Sequence, residues 1–316
     1  PESGNKAAEW GYLATVDNLL FGSRQKQGSS RRDHSRDQIE EGMYFDARPL
    51  VCSDEFFAFE RKTGDTIWKY RPSFGPIVNS TIAVADGRVY FVESTDGTLS
   101  NSRTGRHTTA TLFRLPAQLT ALDMQTGSLL WKKPIDLQHI EHTIYLSAVR
   151  DRIVLNGSFN KLISSKSMVH VDISVFNAKD GSRIWQRTQN NHTHANGQHG
   201  EQDLHPVIVG NRLYCEPFAY DLQTGKSLAD WKWNYGRRSG CGTISASAST
   251  FFFRHSHPTM FDLTSNSYSK ITTSTRPGCW INMIPAGGLL LIPEGSSGCS
   301  CNYAIQSSMA FLPFDK

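Results

Sequence analysis

The densest collection of chemistry-bearing side chains in this chain lies between residues 190 and 205, where His192, His194, His199 and His205 accompany Glu201 and Asp203. Imidazole and carboxylate are the donors a divalent cation takes, at about 2.0–2.6 Å. In an extended segment, His192-Thr193-His194 sets two imidazoles on one side. These four histidines are therefore the candidate metal ligands. Their spacing matches no specific metal motif, and a polar loop whose histidines bond backbone carbonyls needs the same residues.

Arginine and tyrosine follow. Arg237, Arg238 and Arg276 carry guanidinium forks that can clamp an anion bidentately. With Asn282 they are the candidate ligand-binding residues. If His199 or His205 shared a pocket with Tyr235 or Tyr303, a base and an acid for β-elimination on a uronic acid would be present. The other reading gives these side chains a role in holding loops.

Of the six cysteines, Cys241, Cys279, Cys299 and Cys301 crowd the last quarter beside Gly, Ser and Pro. That setting favours bridges that staple loops, with the pairing open, and an oxidising, secreted or periplasmic location. The alternative is a thiolate metal site, although Cys299-Ser300-Cys301 is not a zinc-knuckle spacing.

The elements that must position these residues are written as a repeated phrase. It reads Phe59-Glu60-Arg61-Lys62-Thr63-Gly64-Asp65-Thr66-Ile67-Trp68, then Leu122 to Trp131, Phe176 to Trp185 and Tyr220 to Trp231. Each copy is an apolar strand, a turn closing on Gly64, Gly127, Gly181 or Gly225, and a second strand ending in Trp68, Trp131, Trp185 or Trp231. Gly accepts the positive φ of a hairpin turn at no steric cost. A large indole at a constant place fills a layer between stacked sheets. A second hairpin signal precedes each phrase, at Asp17-Asn18, Asp86-Gly87, Asp151 and Gly210-Asn211, and again at Gly287-Gly288. Two hairpins make one four-stranded blade, and recurrence at roughly 45–65 residues marks a β-propeller. The expected blades lie near 10–70, 77–135, 143–189, 203–233, 240–272 and 279–314, in one domain. Such an all-β ring has six or seven blades, or eight if two more precede the first. Polar insertions at Gly22–Asp46 and Thr95–His107 interrupt the rhythm.

Composition narrows the function classes. The formal charge is only +4 and the basic residues are scattered, so no positive stripe for nucleic acid exists. No apolar run reaches the length of a membrane-spanning helix.

The Asp-x-x-Thr-Gly-x-x-x-Trp variants over residues 57 to 233 resemble the pyrroloquinoline-quinone-like β-propeller family. That repeat is shared by quinoprotein dehydrogenases and by a lipoprotein scaffold of outer-membrane assembly. Arg276 to Pro285 and Ser297 to Tyr303 resemble secreted propeller proteins of planctomycete-type bacteria. Quinone-dependent relatives carry an adjacent cysteine pair under the cofactor, with Ca²⁺ and a carboxylate base. Here Ser300 separates Cys299 from Cys301, and no motif assigns the base, so the resemblance does not extend to the quinone. The expectation is a binding or assembly scaffold for a protein partner or a polysaccharide. The alternative is an enzyme, either a propeller-type lyase or a quinone- or metal-dependent oxidoreductase.

Overall fold

A computed structural model describes residues 8–30, 49–194, 205–233, 240–278, 282–293 and 307–313, with backbone only for 191–194. Its residues divide into two compact units, 1–161 with 170–189 and 162–169 with 190–316. Strands β1 (Ala8–Val16), β2 (Leu19–Lys26), β3 (Leu50–Glu60) and β4 (Thr66–Tyr70) form one antiparallel meander. They are followed by β5 (Ile77–Val78), β6 (Ala83–Ala85), β7 (Arg88–Glu93), β8 (Arg106–His107), β9 (Ala117–Asp123) and β10 (Leu129–Ile135). The second meander is β6-β7-β9-β10. Short β5 pairs with both β3 and β7, so the two meanders join into one ten-stranded sheet. That fusion was not visible in the repeat pattern, which treats the blades as separate.

The third sheet unit is β11 (Ile144–Val149), β12 (Arg152–Ile163), β13 (Lys166–Asn177) and β14 (Arg183–His194). Next come β15 (Val207–Val209), β16 (Arg212–Cys215) and β17 (Phe218–Asp221), three strands extended by a bridge from Tyr220 to Ser227. A four-stranded sheet, β18 (Ser245–Ala246), β19 (Thr250–His255), β20 (His257–Asp262) and β21 (Ser267–Lys270), follows it. The last holds β22 (Ile284–Ala286), β23 (Leu289–Ile292) and β24 (Met309–Phe311). The fold is an all-β propeller type, built from antiparallel meanders.

The phrase works through three linked contacts. First, its leading acidic or amide residue closes the turn. Asp123 Oδ1 accepts from the backbone N–H groups of Gln125 and Thr126 at 3.0 and 2.8 Å, and Asp221 Oδ1 does the same for Gln223 and Thr224. Asn177 and Asp262 hold their own turns likewise, and Glu60 does so with its longer arm. Second, the next residue's N–H reaches the carbonyl of the blade's other turn. Arg61, Met124, Ala178, Leu222 and Leu263 donate to Asn18, Gly87, Asp151, Asn211 and Ser249 at 2.7–3.0 Å. Each blade is thereby stitched at one end.

Third, the indole crosses to the following blade. Trp68 donates from Nε1 to the Met124 carbonyl at 3.1 Å, and Trp131 donates to Ala178 at 3.1 Å. A Cβ on Gly127 would lie 2.5 Å from the Trp68 ring, and one on Gly181 would lie 2.7 Å from Trp131. So these glycines serve twice, as positive-φ turn residues and as the flat seat for the preceding tryptophan. Trp231 departs from this pattern, donating to the Pro217 carbonyl at 3.2 Å and packing against Tyr214, Phe251, Phe261 and Trp233. Trp185 is half-buried.

The turn carboxylates carry a pH signature. Backbone N–H donors of the turn hold Asp123 and Asp262 below the usual carboxylate range, and the Thr224 hydroxyl does the same for Asp221. Because the folded-state values are depressed, their stabilisation is present above the unfolded carboxylate value of about 3.9. It is lost as pH falls through the folded values. Melting temperature should therefore fall progressively in that acid window. Asn177 closes the same kind of turn without a charge, so Asp123→Asn should keep the turn and flatten that part of the acid decline in a series of thermal melts.

Candidate functional site

Few of the residues first nominated for chemistry fall within the described residues. His199, Tyr235, Arg237, Arg238, Tyr303, Cys279, Cys299 and Cys301 lie outside them, as do the side chains of His192 and His194. His205 is half-buried, its Nδ1 is 3.0 Å from the Pro206 carbonyl, and desolvation pulls its pKa down. Arg276 is 1% exposed, and its guanidinium donates to the Pro277 carbonyl at 3.2 Å. Asn282 is exposed, donating to the Thr243 hydroxyl at 2.6 Å and accepting from the Thr243 N–H. Cys241 is partly buried. Among the described residues, no group of three or more His, Cys, Asp or Glu side chains is placed to hold a metal ion. Cys52 is a buried free thiol inside the apolar cluster of the first unit, and burial keeps it protonated.

Two features of the first unit lie wholly within the described residues. One is the loop cluster at the strand ends opposite the Thr-Gly turns. The Thr95–His107 insertion, read as a surface extension, is tied down throughout. Asp96 caps a 3-10 turn over Gly97–Asn101 by accepting from the Thr98 N–H, and pairs with Arg114 at 2.5 Å. The 3-10 turn is fastened in turn by Ser100 Oγ, which donates to the Phe74 carbonyl at 2.9 Å. Gly75 sits so close to Ser94 and Asp96 that a Cβ there would meet backbone at 2.7 Å. Thr95 donates to the Pro116 carbonyl, and Gln138 to that of Arg114. From this pinned surface Phe74 and Leu115 stand 67% and 43% exposed.

The other is a cleft of about 490 Å³ between β10 with the turn after it and the sheet of β12, β13 and β14. Alternation along β13 puts His170, Asp172, Ser174 and Phe176 on one face. Opposite them, the 137–140 turn is fixed by the apolar side chain of Ile140, which fills the space where Gly157 has no Cβ. That turn presents His139, whose Nε2 lies 2.6 Å from Asp172 Oδ2. Asp172, 8% exposed, also accepts from Gln186 at 3.2 Å and from the Thr188 hydroxyl. Arg183 in turn donates to Gln186 Oε1 at 2.8 Å.

Each of the first three meanders buries a carboxylate borne on one of its strands, and the partners differ. Glu55 takes Arg71 at 2.5 Å, Glu93 takes Lys132 at 3.1 Å, and Asp172 takes His139. The repeat pattern missed His139 and Asp172 because neither falls in the phrase. The available signal was His170-Val171-Asp172-Ile173 inside an otherwise apolar strand, since a buried carboxylate requires a partner.

A curated protein similar to this chain is the tetrathionate hydrolase of Acidithiobacillus ferrooxidans, 23% identical over 231 residues that make up 64% of this chain and 45% of that protein. The chain thus spans less than half the length of this curated relative. Among solved structures, an acylaminoacyl peptidase of Pyrococcus horikoshii is similar at 10% identity and TM-score 0.51, covering 92% of this chain and 43% of that one. BamB of Moraxella catarrhalis is similar at 11% identity and TM-score 0.41, covering 77% of this chain and 63% of that one. The family model of the outer membrane protein assembly factor BamB matches residues 30–215, more than half of the chain. With its stitched, tryptophan-seated repeats, the chain belongs to this BamB-type, pyrroloquinoline-quinone-like β-propeller family.

Proposed function

We propose that this protein is an extracytoplasmic scaffold that binds a protein partner through the loop end of its first unit. The observation that carries the reading is the exposure of Phe74 and Leu115 on loops whose backbones are already fixed by hydrogen bonds and by the Asp96–Arg114 pair. Rigid aromatic and aliphatic anchors on a pre-organised surface are what protein interfaces use, because little ordering entropy is lost on docking. Membership in a family described by an outer-membrane assembly factor supports the same class of role.

Site-specific photocrosslinking in cells tests it. A benzoyl-phenylalanine at position 74 or 115 should trap a defined adduct, whereas one at Lys62 or Gln125, on the exposed turns at the other strand ends, should not. Equal labelling at all four positions, or none at 74 and 115, removes the reading.

A further inference from the structure

The scaffold reading leaves the His139 cleft unused. Asp172 is satisfied on both oxygens, by Thr188 on Oδ1 and by His139 and Gln186 on Oδ2. When His139 donates from Nε2 to this carboxylate, its tautomer is fixed and Nδ1 is left with a lone pair. That second nitrogen has no partner among the described residues, and the ring is 41% exposed where it lines the cleft. A purely structural pairing would not need this arrangement. Arg71 and Lys132 pair with Glu55 and Glu93 as permanent cations, whereas Asp172 takes a partly exposed imidazole from the turn after β10.

The surroundings narrow the ligand. Leu137, Ile140, Leu155 and Phe176 supply apolar wall, while Lys133 and Arg183 bring exposed cationic heads to the lining. The Lys133 stem runs over Gly181, whose missing Cβ gives it room. The charged and titratable groups around the imidazole are Asp172 from β13, Lys133 from β10, Asp136 from the turn after β10 and Arg183 from β14, which line the cleft with it, and His170 from β13, which shares the contact to Phe159. Asp136 is engaged in its own turn, accepting from the Gln138 N–H at 3.0 Å. Phe159 lies edge-on to the ring at 5.3 Å and limits its rotation.

The geometry points to a binding site for a small monocarboxylate on an apolar body, with the ligand anion received by His139 Nδ1 and the Lys133 and Arg183 cations. Binding places the imidazole between two carboxylates, the buried Asp172 and the ligand's. The favoured state is imidazolium, with Nε2–H on Asp172 and Nδ1–H on the ligand. The proton comes from the ligand's own acid form, whose O–H breaks as Nδ1–H forms, or from solvent when the ligand arrives ionised. No other reactant is required.

Octanoate is the probe, with octanamide as its uncharged counterpart, and the whole chain is titrated by calorimetry. Octanoate should bind at least about ten-fold tighter than octanamide, as expected when a charged hydrogen bond is gained. His139→Gln should cut that preference at least about three-fold, with Lys133 and Arg183 keeping the remainder. Repeating the titration in buffers of different ionisation enthalpy should show proton uptake that the variant lacks. A measurement on the unaltered protein guards against a variant that folds poorly. Two imidazoles, His139 and His170, contact Phe159; in long-range ¹H–¹⁵N spectra, the one of the two that is missing from the His139→Gln spectrum should move its Nδ1 resonance toward the protonated position as octanoate is added. No octanoate binding, equal binding of octanamide, or an unmoved Nδ1 overturns the assignment.

Discussion

Gly127→Ala should destabilise the first unit by about 2–4 kcal/mol, while Gly64→Ala, the same exchange at the same place in the preceding repeat, should cost only about 1. Both glycines are left-handed, at φ +69° and +79°, so both variants carry the strain of a Cβ in that region. They differ in what the new methyl meets. At Gly64 nothing lies within 4 Å, whereas at Gly127 the Trp68 ring begins at 2.5 Å. Trp68 cannot retreat. It is buried among Phe21 and Phe56, with ring centroids about 6 Å away, and its indole is bonded to the Met124 carbonyl. Pushing it back forfeits that bond and opens the layer between two meanders. Denaturant midpoints of the two variants, with unchanged slope, give the comparison directly. Equal losses would mean that the glycine serves only the turn and that the tryptophan seat has no energetic weight.

This contrast also marks where the sequence was legible. The turn glycine and the strand tryptophan were visible in Thr-Gly-x-x-x-Trp because each obeys a local rule, positive φ for one and alternation for the other. Their meeting across blades was not visible, since Trp68 answers to Gly127 and not to Gly64. The leading Asp123 was part of the phrase, but its role came from two N–H groups it must satisfy within its own turn. Chemistry was harder still. Clustering along the chain drew attention to His192–His205, yet the cleft is assembled from His139, Asp172 and Gln186, up to 47 residues apart. What joins them is the stacking of one meander's last strand on the next meander's face, a non-local contact that no single-segment pattern encodes. The pinning of the Thr95–His107 insertion was hidden for the same reason. Its polar composition reads as solvated loop until its donors are matched to carbonyls in other segments.

The buried carboxylates offer the second large effect. Lys132→Met should cost about 2–3 kcal/mol, less than the loss of a fully buried partner because the Lys132 side chain is a quarter exposed. Glu93 sits at 4% exposure and accepts from Tyr70, Thr120 and Lys132 together. Removing the lysine leaves the two neutral donors and strands a negative charge beneath the sheet. Lys132 also lies 5.4 Å from the Tyr70 ring centroid, so its cation is shared between carboxylate and aromatic face. Burial, reinforced by Glu93, raises the Tyr70 phenol, which keeps that donor protonated across the working range. Glu93→Gln in the Lys132→Met background removes the stranded charge and keeps an acceptor for Tyr70 and Thr120. The double variant should then be more stable than the sum of the single losses predicts, by at least about 1 kcal/mol in a double-mutant cycle. Additivity within about 0.5 kcal/mol would show that Lys132 acts by packing alone. It would also remove the contrast on which His139 stands out, because that contrast treats Arg71 and Lys132 as permanent counter-charges to buried carboxylates.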